Sequence, residues 1–344
     1  MSTILEVQHL TKYFPVQKSF LERLFTRKTD YVKAVDGVDF SVVRGEIFTL
    51  AGESGCGKTT TGKLVIRLLE PTSGNILLNG TDITKLKGEE LRLLRRKMQI
   101  VFQDPYASLS PRMRIGDAIA HPLQIHGLAT KTERKQKVLE MLERVGLTPP
   151  EQFVNLYPHQ LSGGQRQRAA LARSIILDPD LIVADEPVSM IDVSLRTTII
   201  DLMLELRKAF GLTYLFITHD LAVAKYISDK IAVMYLGKIV ETTSKKEFFS
   251  NPAHPYAQAL LSAVPVPSVE RKLKPVELRG EVPSAIKIPS GCRFHPRCLF
   301  MTERCVKEEP PLFERKKDHW AACHYEIDFE RGERLNEIDY GKAL

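Results

Sequence analysis

The sequence predicts an α/β fold built around a parallel sheet. Short apolar runs rich in β-branched residues predict buried strands at 47–50, 180–184 and 214–218, and stretches with a helix-forming pattern lie between them. Each of these runs leads into glycine-rich or polar residues. Because ligands bind beyond the carboxyl ends of parallel strands, we expect the three strand ends to meet at one crevice.

The first of these strands runs into a phosphate-binding pattern. Residues 52–60 read Gly-Glu-Ser-Gly-Cys-Gly-Lys-Thr-Thr and fit G-x-x-x-x-G-K-[ST]. The glycines turn backbone N–H groups inward, and the helix predicted over 58–69 begins with free N–H donors that suit a β-phosphate. Lys58 should reach the β- and γ-phosphates, and the Thr59 hydroxyl should ligate Mg²⁺. The nucleotide contacts expected from this loop are Gly52, Ser54, Gly55, Cys56, Gly57, Lys58, Thr59 and Thr60.

A second glycine-rich turn lies further along the chain. Residues 161–165 read Leu-Ser-Gly-Gly-Gln and open a helix predicted to start near Gly164, which makes the turn a second candidate anion site. Two phosphate-binding turns in this order predict a nucleotide that is held from two sides.

The other two strand ends carry carboxylates and a histidine. Asp185 is placed to hold Mg²⁺, directly or through water. Glu186 points elsewhere because side chains alternate along a strand, and it is a candidate to accept a proton from attacking water. His219 is a candidate γ-phosphate contact, and Gln103, in a Gln-Asp-Pro-Tyr turn, is a candidate contact to Mg²⁺ and water. Taken alone, these residues also fit an acidic helix cap and a structural histidine.

Together these motifs resemble the ATP-binding subunit of an ABC transporter. They are the Walker A loop 52–60, the Q-loop at Gln103, the LSGGQ motif 161–165, the Walker B strand 181–186 and the switch His219, in the family's order. The resemblance covers the chain from its start to the region of residue 250. It implies Mg²⁺-dependent ATP hydrolysis by a P-loop NTPase core, with an antiparallel β subdomain and a helical subdomain spanning 104–165.

The resemblance also assigns further residues to ATP. It implies that three residues of the Leu-Ser-Gly-Gly-Gln turn bind the γ-phosphate of the ATP held by the opposing subunit. These residues are Ser162, Gly163 and Gly164, and Gln165 completes the nucleotide-binding set. It implies that Phe14 stacks on adenine, with Tyr13 as the weaker choice. One departure is Ser189-Met-Ile-Asp192, where the family more often has Ser-Ala-Leu-Asp. Because Asp192 is retained, we expect ATP hydrolysis to survive this departure. The property that the departure would alter is communication between the two subunits.

The composition is that of a globular protein. The chain has 344 residues, 43% hydrophobic and 26% charged, which suits one large domain plus an extension. The sequence has no apolar run of membrane-spanning length and no signal-peptide layout at 1–14, so we expect a cytoplasmic protein. The net charge of +7 is dispersed, which favours a solvated surface over a site for nucleic acid or for an anionic membrane surface. An insert at 15–30, with Phe20, Leu21, Leu24 and Phe25 among basic residues, fits either a contact to lipid headgroups or a partner, or a plain surface loop.

Four of the five cysteines lie in the tail. Cys292, Cys298, Cys305 and Cys323 are spaced C-x5-C-x6-C-x17-C, whereas Cys56 lies in the phosphate loop. Disulfides are not expected in a cytoplasmic chain, and four thiolates match a structural zinc site or a [4Fe–4S] cluster. The segment has little apolar periodicity and is expected to need such a staple. Four unrelated buried thiols are the remaining alternative.

The tail extends the resemblance to the ATPases of oligopeptide/dipeptide importers. The stretches that match are 102–111, Lys12-Tyr-Phe-Pro15, Asn251-Pro-Ala-His-Pro-Tyr-Ala-Gln-Ala-Leu-Leu261, Val264-Pro-Val-Pro267 and Gly291-Cys-Arg-Phe-His-Pro-Arg-Cys298. The resemblance implies a cassette at 1–250, an extension at 251–344, and a [4Fe–4S] cluster on the four tail cysteines, with zinc as the alternative. Because the tail is far in sequence from the ATP loop, we expect a structural or assembly element that leaves ATP binding unaffected.

The resemblance also implies partners and a location. It implies a paralogous ATP-binding subunit, with a heterodimer favoured over a homodimer, two membrane permease subunits gripped near Gln103, and indirectly an extracytoplasmic solute-binding protein. The chain is then expected at the cytoplasmic face of the cell membrane as a peripheral subunit. Alternatives are an importer ATPase for nickel or oligosaccharides, a soluble ABC protein acting in translation or DNA repair, and an iron–sulfur regulator whose ATP site only binds. Glu186 and His219 argue against the regulator.

Overall fold

The apolar runs of the sequence form the strands of the fold. The computed structural model describes residues 2–16, 29–263, 280–338 and 340. The strands are β1 (Thr3–Pro15), β2 (Tyr31–Val43), β3 (Ile47–Ala51), β4 (Ser73–Leu78), β5 (Thr81–Asp82), β6 (Met98–Val101), β7 (Leu181–Asp185), β8 (Thr213–Thr218), β9 (Lys230–Tyr235), β10 (Lys238–Ser244), β11 (Phe313–Lys316), β12 (His319–Ala321), β13 (Tyr325–Asp328) and β14 (Glu333–Glu337).

Helices separate most of the parallel strands, as the α/β prediction requires. They are α1 (Lys58–Val65), α2 (Gly88–Leu94), α3 (Pro105–Ser108), α4 (Ile115–Ile125), α5 (Lys131–Arg144), α6 (Pro150–Val154), α7 (Gly163–Ile175), α8 (Val193–Phe210), α9 (Leu221–Ile227), α10 (Lys245–Ser250), α11 (Pro255–Ser262) and α12 (Glu303–Lys307). Short 3₁₀ turns cover Pro158–Gln160 and His295–Arg297. Over the described ranges, no helix is both long enough and apolar enough to cross a membrane.

The central sheet has the strand order β11-β12-β10-β9-β3-β8-β7-β6. β9, β3, β8, β7 and β6 run parallel, and β10, β12 and β11 continue the sheet in antiparallel pairing. The two faces of this sheet are covered by different hydrophobic cores. In β7, Ile182 packs into the core shared with the helical subdomain, and the next residue, Val183, packs into the core shared with the second sheet. Strands buried on both faces appear as continuous apolar runs, which is why the sequence predicted them.

The second sheet, with the order β2-β1-β4-β5, is antiparallel. Its apolar residues, among them Leu5, Val7 and Val38, share a core with α1 and one face of the central sheet. This sheet is the antiparallel β subdomain that the resemblance implied. The insert residues 17–28, which include Phe20, Leu21, Leu24 and Phe25, lie outside the described residues, and so does Val264-Pro-Val-Pro267.

Helices α3 to α6 and the start of α7 form the helical subdomain. Helix α5 begins after Thr130, whose hydroxyl accepts the backbone N–H of Glu133 while the Glu133 carboxylate accepts that of Thr130. This reciprocal capping marks the start of the helix at Lys131. Its buried face is Val138, Met141 and Leu142, followed by Val145, with Leu139 only half-buried.

Helix α1 is shorter than predicted. It ends at Val65, not at position 69, because Arg67 adopts a left-handed conformation with a φ of 56°. The Arg67 guanidinium donates to the carbonyl oxygen of Thr84 at 2.5 Å, which ties this turn to the strand pair β4–β5. A tertiary contact of this kind has no local signal in the sequence.

The tail lengthens the central sheet. Strand β12 pairs with β10 at Glu241↔Ala321 and Thr242↔Trp320. The buried carboxylate of Glu241 accepts the backbone N–H groups of Ala253 and His254 at 3.0 and 2.7 Å, and its Oε1 lies 2.9 Å from Nε2 of His319. Sheet pairing and this buried network therefore hold the tail against the central sheet.

Candidate active site

Glycines shape the loop that follows β3. Strand β3 is buried along its length and delivers the chain to Gly52, which has a φ of 148°. A side chain at Gly52 would fall against the carbonyl oxygen of Met234, and one at Gly57, with a φ of 111°, against that of Ala34. Gly57 is also the N-cap of α1, and no side chain of the described residues caps that helix. The first N–H groups of α1 are therefore available to an anion.

Lys58 lies at the centre of this loop and is 4% exposed. Its Nζ donates to the carbonyl oxygens of Gly52 and Glu53 at 2.7 and 2.8 Å, and it lies 3.6 Å from Sγ of Cys56. Burial outweighs the nearby ammonium and raises the pKa of the Cys56 thiol, so that side chain stays neutral. The positive charge of Lys58 is therefore held inside the curl of the loop.

Thr59 and Asp185 form a pair of oxygen donors beside the loop. The Thr59 hydroxyl donates to Oδ1 of Asp185 at 2.8 Å. Asp185 ends β7, and its burial raises the pKa of the carboxyl group, an effect that the Thr59 bond opposes. Hydroxyl and carboxylate oxygens are the ligands that Mg²⁺ prefers in phosphate sites. The pair therefore fits a magnesium ion that also touches a phosphate.

The carboxylate of Glu186 contacts two residues that follow the neighbouring strands. Its Oε1 lies 3.0 Å from Nδ1 of His219, after β8, and its Oε2 accepts Nε2 of Gln103, after β6, at 3.0 Å. Glu186 has a φ of 47°, and its backbone N–H donates to the carbonyl of Ile217 at 2.9 Å. Non-glycine residues in this region are uncommon and cluster at functional sites. The crevice expected from the strand ends is therefore present.

Most of these groups line one cavity of about 350 Å³, but Gly52, Cys56 and Asp185 are not among its lining residues. Its lining residues are Val32, Ala34, Ser54, Gly55, Gly57, Lys58, Thr59, Thr60, Gln103, Glu186, His219 and Ala285. The Leu-Ser-Gly-Gly-Gln turn does not line it. There, Ser162 caps α7: its Oγ accepts the N–H of Gln165 at 3.3 Å, and the Gln165 side chain accepts that of Ser162 at 2.9 Å. Ser162 is exposed, and a side chain built at Gly163 would meet nothing within 4 Å.

The register of β1 and β2 separates the two aromatic candidates. Phe14 pairs with Val32, which lines the cavity, whereas Tyr13 pairs with Lys33. Paired residues share a face of the sheet, so Phe14 is on the cavity side and Tyr13 on the opposite side. The Tyr13 hydroxyl is moreover bonded to the Asp36 carboxylate.

The four tail cysteines lie around one small cavity, but their side chains are not placed to hold a metal ion. Cys292, Cys298, Cys305 and Cys323 all line a second cavity of about 10 Å³. Burial raises the pKa of the Cys292 and Cys323 thiols, and the other three cysteines add to the rise at Cys292. Among the residues that the structure describes, no group of three or more His, Cys, Asp or Glu side chains is spaced to hold a metal ion.

The tail contacts the phosphate loop, although the two lie far apart in the sequence. Arg297 donates to both carboxylate oxygens of Glu53 at 2.7 and 3.1 Å, and the Tyr256 hydroxyl accepts the backbone N–H of Glu53 at 2.9 Å. Ala285 lines the nucleotide cavity, and its carbonyl accepts the N–H of Lys33 at 3.2 Å. The tail is therefore far from the phosphate loop in sequence but next to it in the fold. Tyr256 and Arg297 lie in the two tail stretches that resemble oligopeptide/dipeptide importer ATPases. That resemblance was the only indication in the sequence that these two residues matter.

A parallel sheet with a phosphate loop, a part-buried pair of oxygen donors and a carboxylate held by two residues is the arrangement of a nucleotide-hydrolysing site, and comparisons with known proteins give its class. Residues 35–189 match the family described as ABC transporter, and residues 240–305 match the family described as oligopeptide/dipeptide transporter, C-terminal region. The oligopeptide transport ATP-binding protein AppF of Bacillus subtilis is 50% identical over 94% of this chain and 97% of its own length. The dipeptide transport ATP-binding protein DppF of Haemophilus influenzae is 46% identical over 92% and 94%.

Solved structures show the same fold. The dimeric ATP-binding cassette MJ0796 in a post-hydrolysis state, bound to ADP and Pi, superposes with a TM-score of 0.61 at 28% identity, covering 70% of this chain and 99% of that one. The chain belongs to the ABC transporter family, among the ATP-binding subunits of the oligopeptide/dipeptide type.

Proposed function

We propose that this chain is the ATP-hydrolysing subunit that energises an importer of dipeptides or oligopeptides. The proposal rests on the position of Glu186: its carboxylate contacts both Gln103 and His219, and it lines the same cavity as the phosphate loop. The class of cargo is taken from the named relatives, of which AppF and DppF are peptide transport proteins.

The geometry supports in-line attack of water on the γ-phosphate of ATP. Lys58 and the N–H groups of α1 would bind the phosphates, and Thr59 and Asp185, with Gln103, would hold Mg²⁺. Bound Mg²⁺ supplies positive charge that neutralises the phosphate oxygens. Glu186 accepts the proton of the attacking water, and its two hydrogen-bond partners fix the carboxylate in place.

The proposed contacts to ATP come from two subunits. Ser162 is exposed, Gly163 is half-buried with open space beside its Cα, and neither lines the cavity formed by this chain's own phosphate loop. Turns of this kind suit a phosphate held elsewhere, so we assign Ser162, Gly163, Gly164 and Gln165 to the ATP of an opposing subunit. A paralogous chain is the favoured partner. Within each subunit, the strand register supports Phe14 as the aromatic that stacks on adenine.

Closure of the two subunits on ATP would drive two membrane permease subunits, held near Gln103 at the cytoplasmic face of the cell membrane. Next to Gln103, Tyr106 is 47% exposed and stacks on Arg166 at 4.3 Å, which offers an aromatic contact on this surface. A solute-binding protein would act indirectly, from the other side of the membrane.

An iron–sulfur cluster on the tail is a separate part of the proposal. The four thiols that line one cavity match the four thiolate ligands of such a cluster in number, which supports this part of the proposal, and the cavity would have to widen to admit the cluster. Anaerobically purified protein should contain about four iron and four sulfide per chain. Cys298→Ser should lower both, whereas Cys56→Ser should not. Stoichiometric zinc without sulfide would contradict the cluster and leave the ATPase proposal standing.

The transport proposal is tested in proteoliposomes that contain both ATP-binding subunits and both permeases. Peptide-loaded solute-binding protein, added to the outside, should raise the rate of Mg²⁺-dependent ATP hydrolysis and drive peptide uptake. The matched control is the same complex carrying Lys58→Ala in this chain. Stimulation by nickel or an oligosaccharide in place of peptide would contradict the cargo class, and no ATP hydrolysis at all would contradict the ATPase.

A further inference from the structure

Glu53 is an acidic residue inside a loop that binds anions. It is the second residue of the phosphate loop, and three different groups hold it. Its backbone N–H donates to the Tyr256 hydroxyl at 2.9 Å, its carbonyl accepts Nζ of Lys58 at 2.8 Å, and its carboxylate accepts two bonds from Arg297. Two of these three partners, Tyr256 and Arg297, come from beyond the cassette, in the C-terminal extension.

Arg297 is itself firmly placed. It is 5% exposed and ends the 3₁₀ turn immediately before Cys298. Its guanidinium lies 5.9 Å from the ring centre of Tyr235, and that ring packs against Tyr256 at 4.7 Å and Phe294 at 5.4 Å. Burial and stacking leave the guanidinium little freedom, so its bidentate contact fixes the orientation of the Glu53 carboxylate.

The charge of Glu53 explains why such a contact is needed. A free carboxylate beside Lys58 would compete with phosphates for the ammonium and would repel them. Glu53 does not line the nucleotide cavity, although its loop neighbour Ser54 does. Arg297 therefore holds this negative charge on the tail side of the loop and neutralises it there.

We propose that Arg297 is a positioning residue for ATP binding: by neutralising and orienting Glu53, it keeps the phosphate loop receptive to the ATP phosphates. The extension that carries Cys292 and Cys298 thereby acts on the nucleotide site directly. This inference rests on the proposed role of the phosphate loop, and it gives Glu53 and Arg297, which the ATP motifs leave without a role, a common one.

The test is a double-mutant cycle on the full chain, with the dissociation constant for ATP and the KM and kcat of hydrolysis as readouts. Arg297→Met should raise both the dissociation constant and KM for ATP about tenfold, which corresponds to about 1.4 kcal/mol, and leave kcat within about twofold. Arg297→Lys keeps the charge and should recover part of the affinity. Glu53→Gln should bind ATP as well as the wild type, because it removes the charge that Arg297 neutralises. In the Glu53→Gln background, Arg297→Met should then have almost no further effect.

Arg304→Met is the matched control. Arg304 is a tail arginine next to Cys305, and its ion pairs, with Glu308 and Glu337, lie within the tail. This variant should bind ATP like the wild type. An equal loss of affinity from Arg297→Met with and without Glu53→Gln, or no loss in either, would overturn the inference. If Arg297→Met fails to fold, Arg297→Lys completes the same cycle. Failure of the wild type and of Arg304→Met to bind ATP would instead contradict the proposed function.

Discussion

A buried histidine at the junction of cassette and tail should make the protein sensitive to acid. His254 is 1% exposed and caps α11, where its Nδ1 accepts the backbone N–H of Tyr256 at 3.0 Å. Burial, helped by the positive charge of Arg315, lowers the pKa of His254 to about 3. The Glu241 carboxylate, which accepts the backbone N–H of His254, is already engaged by His319.

The sign and size of the effect follow from proton linkage. The folded-state pKa of about 3 lies below the usual 6.5, so between these values the unfolded chain binds more protons and stability falls as the pH falls. At pH 5 the difference is about 1.5 pH units at about 1.36 kcal/mol each, or about 2 kcal/mol. Above pH 6.5 the histidine adds no pH dependence.

Urea unfolding of the wild type and of His254→Asn at pH 7.5 and pH 5 measures this loss. Asparagine keeps an N-cap acceptor but does not titrate. The free energy of unfolding of the wild type should therefore fall by about 2 kcal/mol more than that of the variant. Because other groups titrate equally in both proteins, the difference isolates His254. The same pH dependence in both would refute the reasoning.

Two further predictions concern the nucleotide site. Lys58→Ala should abolish hydrolysis and weaken ATP binding, measured by titration with a fluorescent ATP analogue, because the buried ammonium is the charge enclosed by the loop; ATP affinity equal to the wild type would contradict this placement. Ser162→Arg should leave ATP binding by the isolated chain unchanged and block hydrolysis by the subunit pair, because Ser162 is exposed and does not line this chain's own cavity; loss of binding by the isolated chain would show that both loops serve one nucleotide.

The sequence predicted the elements that are locally encoded. Strands β3, β7 and β8 are continuous apolar runs because both faces of the sheet are covered, so their buried character is evident without a structure. The meeting of Glu186 and His219 also followed, because both come directly after strands of one sheet.

Long-range contacts were not predictable in the same way. The pair Glu53–Arg297 joins residues 244 positions apart, and neither residue belongs to a pattern that identifies the other. The short strands β11 and β12 have few apolar residues, and they join the central sheet because β12 pairs with β10 and β11 pairs with β12. The left-handed conformation of Glu186 likewise depends on its surroundings, since its side chain is bonded from two neighbouring strand ends.

The most direct test of the account is the ATP turnover of Glu186→Gln in the assembled subunit pair. The carboxylate accepts bonds from both His219 and Gln103, whereas an amide offers only one acceptor oxygen and is a poor base. The rate of phosphate release should fall by ~10²–10⁴-fold, while ATP stays bound to a closed pair of subunits that is isolated by size-exclusion chromatography with its nucleotide intact. Phosphate release at the wild-type rate would contradict the assignment of Glu186 as the base and, with it, the proposed mechanism.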